Sequence, residues 1–125
     1  MRPFYDTLET RSPAMREADH WARMPMLVAH AQAHASAFTE LLEGVDARLV
    51  TSRSALAALP VTRKSTLLTR QQAQRTLDPF GGFSAIGWGA LHAAGRGALR
   101  VFQSPGPIYE PEGAASDYWR MARAL

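Results

Sequence analysis

The stretch Asp78-Pro79-Phe80-Gly81-Gly82 divides the chain into two parts of different composition. Before it, apolar residues recur at the three- and four-residue spacing that is typical of amphipathic helices. After it, six glycines lie between residues 81 and 97, and Leu99-Arg100-Val101-Phe102-Gln103 has the β-branched and aromatic residues that favour a strand. The change predicts a helical segment over residues 1–77 and a glycine-rich span with a β-hairpin over residues 78–125.

Several helices are expected upstream of this boundary. Ser12-Pro13 predicts the start of the first, because serine caps free N–H groups and proline at the first helical position loses no hydrogen bond. Pro25 lacks the N–H that an inner turn uses, so it either kinks this helix or begins a second one. Shorter helices are expected from Arg53 to Leu59, after the capping residue Ser52, and from residue 62 or 63 to about residue 76.

Downstream, Ser104-Pro105-Gly106-Pro107 predicts a turn and Ile108-Tyr109-Glu110 predicts the return strand of a hairpin. Asp117 is expected to cap a last helix that runs to Leu125. That helix has no C-cap and no polar tail, so we expect it to be interrupted. The fold class expected is mainly α (α+β), with a helical segment, a β-hairpin and a helix in an incomplete domain.

Composition limits the functions that the 125 residues can have. There is no cysteine, which excludes disulfides and thiolate metal sites, and the hydrophobic content of 46% is ordinary for a globular domain. No signal peptide or membrane span is recognised, so we expect a cytoplasmic protein without a membrane partner. The net charge of +3 is dispersed, and its nearest cluster, Arg63-Lys64 with Arg70 and Arg75, indicates a solvated helix face and not a nucleic-acid site.

Few residues suggest chemistry by themselves. His30 and His34 share one helix face, but two ligands without a third predict no metal site. Neither a Gly-x-Ser-x-Gly elbow nor a Walker A motif is present, so we assign no catalytic residue. Large aromatic side chains usually lie in cores, and this is the expectation for five of them. They are Trp21, Phe38, Trp88, Phe102 and Trp119.

The turn after residue 103 is the one place where a ligand loop is physically reasonable. A strand that runs into a glycine-containing turn presents backbone N–H groups to an anion such as phosphate. The two prolines remove donors, however, and Glu110 and Glu112 oppose negative charge. From the residues alone a purely structural turn is therefore favoured.

Several stretches, in order along the chain, resemble the N-terminal region of phenylacetate-CoA ligases. Leu56 to Leu67 is similar to a short helix that ends in Leu-Pro and precedes a lysine-containing helix, and Pro79-Phe80-Gly81 looks like the Pro-Phe-Gly that follows it. Arg100 to Ser104 is similar to the strand that enters the family's phosphate loop, and Tyr118 to Leu125 to the helix after that loop. The upstream stretch from His30 to Leu42 also matches. The resemblance thus covers nearly the whole chain.

This family belongs to the adenylate-forming, AMP-binding enzymes, which activate a carboxylic acid with ATP and Mg²⁺ and then transfer the acyl group to coenzyme A. The resemblance implies that activity, and those cofactors, for a full-length parent, with residues 78–125 at the start of its AMP-binding domain. For the chain alone it implies no cofactor and no activity, and the remainder of the parent as partner. Ser104 and Gly106 correspond to a remnant of the ATP phosphate loop, whose threonine pair and lysine are absent here.

A second hypothesis comes from a different class of protein. The chain is then a small stand-alone helical module that forms a homo-oligomer, or docks a partner, through exposed apolar helix faces. The ligase hypothesis requires that the chain is part of a longer protein. The module hypothesis requires that the 125 residues associate by themselves.

Overall fold

The computed structural model describes residues 4–86 and 98–123. Residues 87–97, which include Trp88 and most of the glycine-rich span, and residues 124–125 lie outside the described part. The helices are α1 (Pro13–His34), α2 (Ser36–Leu41), α3 (Arg53–Ala57) and α4 (Lys64–Ala73), and the strands are β1 (Ala98–Ser104) and β2 (Ile108–Gly113). Short 3-10 turns cover Thr7–Thr10, Ala47–Leu49 and Met121–Arg123. The class is therefore a mixture of helix and a two-stranded antiparallel sheet.

Helix α1 begins where the sequence predicts, and the hydroxyl of Ser12 accepts the Met15 N–H at 3.2 Å. It continues through Pro25 to His34, so the alternative that Pro25 begins a second helix is wrong. The break falls at Ala35, whose backbone is extended (φ −128°, ψ 107°). Just beyond it the Ala37 N–H donates to the carbonyl of Gly82 at 3.0 Å, so the break lies where the chain docks against a distant turn.

The two short helices are present but end earlier than predicted. Ser52 caps α3, accepting the Ala55 N–H at 3.2 Å, and α3 ends at Ala57. Helix α4 ends at Ala73 and passes into a turn over residues 74–77. None of the helices in the described ranges combines the length and the apolar character needed to cross a bilayer.

The last predicted helix, from Asp117 to Leu125, is wrong over the described residues. Asp117 and Arg120 have φ of 49° and 56°, on the left-handed side that an α-helix excludes. Only the 3-10 turn Met121–Arg123 follows, and the Asp117 carboxylate accepts the Ala122 N–H at 3.0 Å. The aspartate thus caps a single turn of the chain and does not start a long helix.

The core is small and made mostly of aliphatic side chains. Val28 on α1 packs with Leu42, Ala47 and Val50, all buried. The Gln32 side-chain amide crosses the same region and donates to the Leu42 and Val45 carbonyls, at 3.1 and 2.9 Å. The connection after α2 is therefore fixed to α1 by apolar packing and by one polar bridge.

The prediction that the large aromatic residues form the core is wrong for two of them. Phe102 and Trp119 are 44% and 46% exposed, whereas Trp21 and Phe38 are half-buried. Among the described residues, the fully buried aromatic side chain is that of Phe80, at 1% exposure. It belongs to the stretch where the composition changes, which makes this stretch a packing centre as well as a boundary in sequence.

The predicted hairpin is confirmed, with longer strands. Strands β1 and β2 are antiparallel, with Ser104 opposite Ile108 and Arg100 opposite Glu112, and residues 105–107 form the turn. Helix α4 contacts β2, so the helical segment and the hairpin touch across residue 77. The division into 1–77 and 78–125 as domains stays a prediction.

Candidate functional site

The two predicted site residues lie at the hairpin turn. Ser104 is the last residue of β1 and is half-buried, and Gly106 is exposed in the middle of the turn. Pro105 and Pro107 have no N–H, so the turn itself offers an anion the Gly106 N–H and, beside it, the Ser104 hydroxyl. The structure therefore brings both residues to one exposed turn, with few of the donors that a phosphate site uses.

The hairpin is tied to the helices by Gln71 of α4, which is 4% exposed. Its amide oxygen accepts the Tyr109 N–H at 2.9 Å, and its amide nitrogen donates to the Tyr109 carbonyl at 3.0 Å. One side chain thus pairs with β2 as the backbone of a neighbouring strand would. We call this pair of bonds the Gln71 clamp; it fixes the strand that leaves the turn of Gly106.

The stretch from Asp78 to Gly82 forms a tight turn, named here the Phe80 junction. The Asp78 carboxylate accepts the N–H groups of Phe80 and Gly82, at 3.0 and 2.7 Å. Gly82 has φ 78°, and a Cβ there would lie 2.9 Å from the backbone nitrogen of Ala37. Glycine is therefore required, because the backbone is left-handed and α2 leaves no space. The junction contacts α2 on one side, and its Phe80 carbonyl accepts from the Gln71 amide at 3.4 Å on the other.

Arg70 strengthens the same junction. Its Nε donates to the Gly81 carbonyl at 2.7 Å, and its two terminal nitrogens bind Glu40 at 2.7 and 2.8 Å. The hydrogen bond from Arg70 lowers the pKa of Glu40, and the bond to Glu40 raises the pKa of Arg70. Of the basic cluster noted in the sequence, Arg70 is thus bound within the fold, while Arg63, Lys64 and Arg75 are exposed.

A second polar group lies on one face of the hairpin. Glu112 is 9% exposed, and its two oxygens accept from Arg100 at 2.7 Å and from the Trp119 indole N–H at 3.1 Å. The Trp119 ring meets Phe102 edge to face, with 6.1 Å between the ring centres. Both carboxylate oxygens are engaged, so this acid acts as a structural acceptor and holds the segment after β2 against the sheet.

An open cleft of about 370 Å³ lies between α1 and α3. Glu17 bridges it, accepting from Arg53 at 2.7 Å and from the Trp21 indole N–H at 3.3 Å. These bonds, that of Arg53 first, lower the pKa of Glu17. A carboxylate held in its charged form is a weak base, so the cleft has an apolar wall with a polar bridge and no evident nucleophile–base pair.

The two histidines of α1 share one helix face, as their spacing predicts. His30 and His34 are exposed on α1, with 4.5 Å between their ring centres. Within residues 4–86 and 98–123 no group of three or more histidine and acidic side chains is placed to hold a metal ion. The pair therefore offers two ligands on a helix face.

Sequence reasoning missed the residues that hold the hairpin in place. Gln71 and Tyr109 are 38 positions apart, and nothing in the local spacing around Gln71 signals a distant partner. Glu112 is noticed only as a charge that opposes phosphate, and its partner Trp119 lies beyond the left-handed residue Asp117, which no local pattern signals. The Pro79-Phe80-Gly81 stretch is the one local signal of the junction, because its proline and glycine flank an aromatic residue.

Comparisons of the chain with known protein families, with curated proteins and with solved structures found no match.

Proposed function

We propose that this chain is the N-terminal helical and hairpin part of an acid–CoA ligase of the adenylate-forming type. In that enzyme ATP and Mg²⁺ serve formation of an acyl-adenylate, and coenzyme A then takes the acyl group. The proposal includes a cytoplasmic location, where these cosubstrates are abundant, and no activity for the 125 residues alone.

One observation carries the proposal: stretches that resemble the family, although distant in sequence, lie together in the fold. The Gln71 amide nitrogen reaches the carbonyl of Phe80 at 3.4 Å and that of Tyr109 at 3.0 Å. The first carbonyl belongs to the Pro-Phe-Gly stretch, and the second follows the turn that resembles the phosphate loop. A shared structural role for these stretches is what a common ancestral segment requires.

The turn itself supports only a partial role in binding nucleotide. Ser104 and Gly106 supply one hydroxyl and one N–H, and the threonine pair and the lysine of the family's loop are absent here. In the proposal, the remaining donors and cations for the phosphates come from the rest of the enzyme. Ser104 then positions a phosphate oxygen, and Gly106 keeps the backbone close to it.

The test uses two proteins: the 125-residue chain, and the product of the whole open reading frame that encodes it. Acid-dependent exchange of pyrophosphate into ATP is measured with a panel of aryl and alkyl carboxylic acids. We expect exchange with the longer protein and none with the 125 residues. A reading frame that stops at Leu125, or a longer protein that exchanges with no acid, contradicts the proposal.

Variants of the longer protein locate the effect at the turn. Ser104→Ala is expected to raise the KM for ATP, because a phosphate contact is lost. Ser54→Ala, at an exposed serine of α3, is the matched control and leaves the KM unchanged. An equal KM for ATP in the two variants contradicts a nucleotide role for the turn. The ligase proposal itself is tested separately, by the exchange assay.

A second candidate function, self-association or partner docking through helix faces, is favoured by α1. Met26 and Leu27 are adjacent and 72% and 60% exposed, although both are large and apolar. Sedimentation velocity over a range of concentrations tests this. Leu27→Glu should abolish association through α1 but not pairing through β1, whereas Ala29→Glu, at another exposed position of α1, should weaken the α1 association less. A chain that is monomeric throughout contradicts this candidate.

A further inference from the structure

The two outer edges of the hairpin differ, and β2 has the closed one. Both backbone groups of Tyr109 point away from β1, because they bond to the Gln71 side chain. Two residues further along, Pro111 has no N–H to offer. A strand that approached β2 would meet a side chain already in place at one position and a missing donor at the next.

Within the described residues the outer edge of β1 is the open one. Gln103 lies opposite Tyr109, and this pair makes no ladder bonds because both backbone groups of Tyr109 point away from β1. Bonded and non-bonded pairs alternate along an antiparallel ladder, so the Val101–Pro111 pair makes no ladder bonds either. The backbone N–H and C=O groups of Val101 and Gln103 therefore point away from β2. Among the described residues no backbone group pairs with them. Leu99 and Val101, on this strand, are 65% and 39% exposed.

We propose that a second copy of this chain pairs with this edge, β1 antiparallel to β1, with Val101 opposite Val101 of the partner subunit. The two hairpins then form one four-stranded antiparallel sheet, with β2 at each closed outer edge. The inference goes beyond the proposed function and does not depend on it.

Charge and hydrogen-bond geometry select this register. A two-fold axis on Arg100 would place two arginines directly opposite each other, which is unfavourable. An axis on Val101 places Arg100 opposite the exposed ring of Phe102 from the second copy, a cation against an aromatic side chain. It also makes the central pair a hydrogen-bonded one, because the backbone groups of Val101 point outward. Of these two registers, the one centred on Val101 is therefore favoured.

Cysteine cross-linking tests the register directly, since the chain has no cysteine of its own. In Val101→Cys the two Cα atoms of the central pair are expected about 5.5 Å apart, which a disulfide spans. The matched control is Gln103→Cys, whose two copies lie roughly 14 Å apart along the strands in this register. Mild oxidation should give a reducible covalent dimer with Val101→Cys and leave Gln103→Cys monomeric.

A backbone variant tests the edge. Val101→Pro removes an outward N–H but no bond to β2, whereas Val101→Thr keeps the N–H and the β-branched shape. Sedimentation velocity should show a concentration-dependent dimer for the wild type and Val101→Thr, and loss of that dimer for Val101→Pro. If Val101→Pro fails to fold, as circular dichroism would show, the cysteine pair decides alone.

Three results would overturn the proposal. One is a wild type that stays monomeric at every concentration. The edge of β1 would then pair with another part of a longer protein or with a strand of a different protein, and not with a second copy. The others are equal cross-linking of the two cysteine variants, and a folded Val101→Pro that dimerises like the wild type. Failure here leaves the ligase proposal intact, because that proposal is read out by pyrophosphate exchange and not by association.

Discussion

The α1–α2 core and the Phe80 junction hold the chain together in different ways. The core joins Val28, Leu42 and Val50 through apolar contacts that have little directional preference. The junction has one buried ring, Phe80, surrounded by directional bonds from Asp78, Arg70 and Gln71. An apolar core tolerates side chains of another shape if the total volume is kept. A hydrogen-bonded network loses stability when one partner is removed, because the other partner is left unsatisfied.

The difference matters for the hairpin, because β2, the strand that leaves the turn of Ser104 and Gly106, is hydrogen-bonded to Gln71 of this network. Helix α4 contacts β2, and its Gln71 side chain makes two hydrogen bonds with the backbone of Tyr109. We therefore expect these two hydrogen bonds to contribute to the position of the candidate phosphate turn, and substitutions at the junction to affect it more than substitutions in the α1–α2 core.

The largest effect is expected from Phe80→Ala. The ring is 1% exposed, and its removal leaves a cavity at the junction, which typically costs about 3–5 kcal/mol of unfolding free energy. Leu77→Ala is the control, since Leu77 is 84% exposed and its truncation should change stability by less than about 0.5 kcal/mol. Urea denaturation followed by circular dichroism measures both. Equal midpoints would contradict the central position of Phe80.

Two glycines separate backbone strain from crowding. Gly82 and Gly44 have nearly the same φ, 78° and 77°, but only Gly82 has Ala37 and Ser36 within contact of an added Cβ. Gly44→Ala should cost about 1 kcal/mol for the left-handed backbone, and Gly82→Ala about 2–4 kcal/mol because crowding is added. The same denaturation assay compares them. A Gly44 variant as unstable as the Gly82 variant would show that space at the junction is not limiting.

Gln71→Met keeps the volume of the side chain and removes its amide. The N–H and C=O groups of Tyr109 then lose their partners in a partly buried site, at an expected cost of about 1–3 kcal/mol. Gln72→Met, at the exposed neighbouring position of α4, is the matched control. Thermal unfolding of the two variants should differ, with the lower Tm for Gln71→Met; equal Tm values would mean that the clamp adds no stability.

The smallest effect is expected from the surface pair of Glu40 and Arg70. Arg70 lowers the pKa of Glu40 below its ordinary value of about 4.3, so the pair stabilises the folded state above that pH. Its contribution is lost as the pH falls through the lowered folded-state pKa. Glu40→Gln should therefore be less stable than the wild type at neutral pH, and the difference should vanish in acid. Glu43→Gln, which removes an exposed acid from the same region, is the matched control.

Local signals in the sequence predicted the starts of elements better than their ends. Ser12-Pro13 and Ser52 mark true helix starts, because capping depends on residues two or three positions away. Pro25 is expected either to kink α1 or to begin a new helix, and the second alternative is wrong because α1 continues through it. The break at Ala35 carries no local signal, and the bond that accompanies it, from Ala37 to Gly82, spans the length of α2, α3 and α4.

The end of the described chain shows the same limit. The apolar spacing after Asp117 is that of a helix. Instead, Trp119 donates a hydrogen bond to Glu112 and its ring packs against Phe102, and the backbone is left-handed at Asp117 and Arg120. Of the candidate site, the turn with Ser104 and Gly106 was predictable from its glycine and prolines. Its attachment through Gln71 was not, because a polar residue in a polar helix gives no indication of a partner in a strand.

Native-state hydrogen exchange in Gln71→Met tests this contrast most directly. In the wild type the Tyr109 amide is bonded to Gln71, and amides of α1 around Val28 belong to the helical core. We predict that the variant loses protection at Tyr109 and along β2, while the amides around Val28 keep theirs. Unchanged protection at Tyr109, or an equal loss in both regions, would contradict the conclusion that the hairpin depends on the clamp separately from the core.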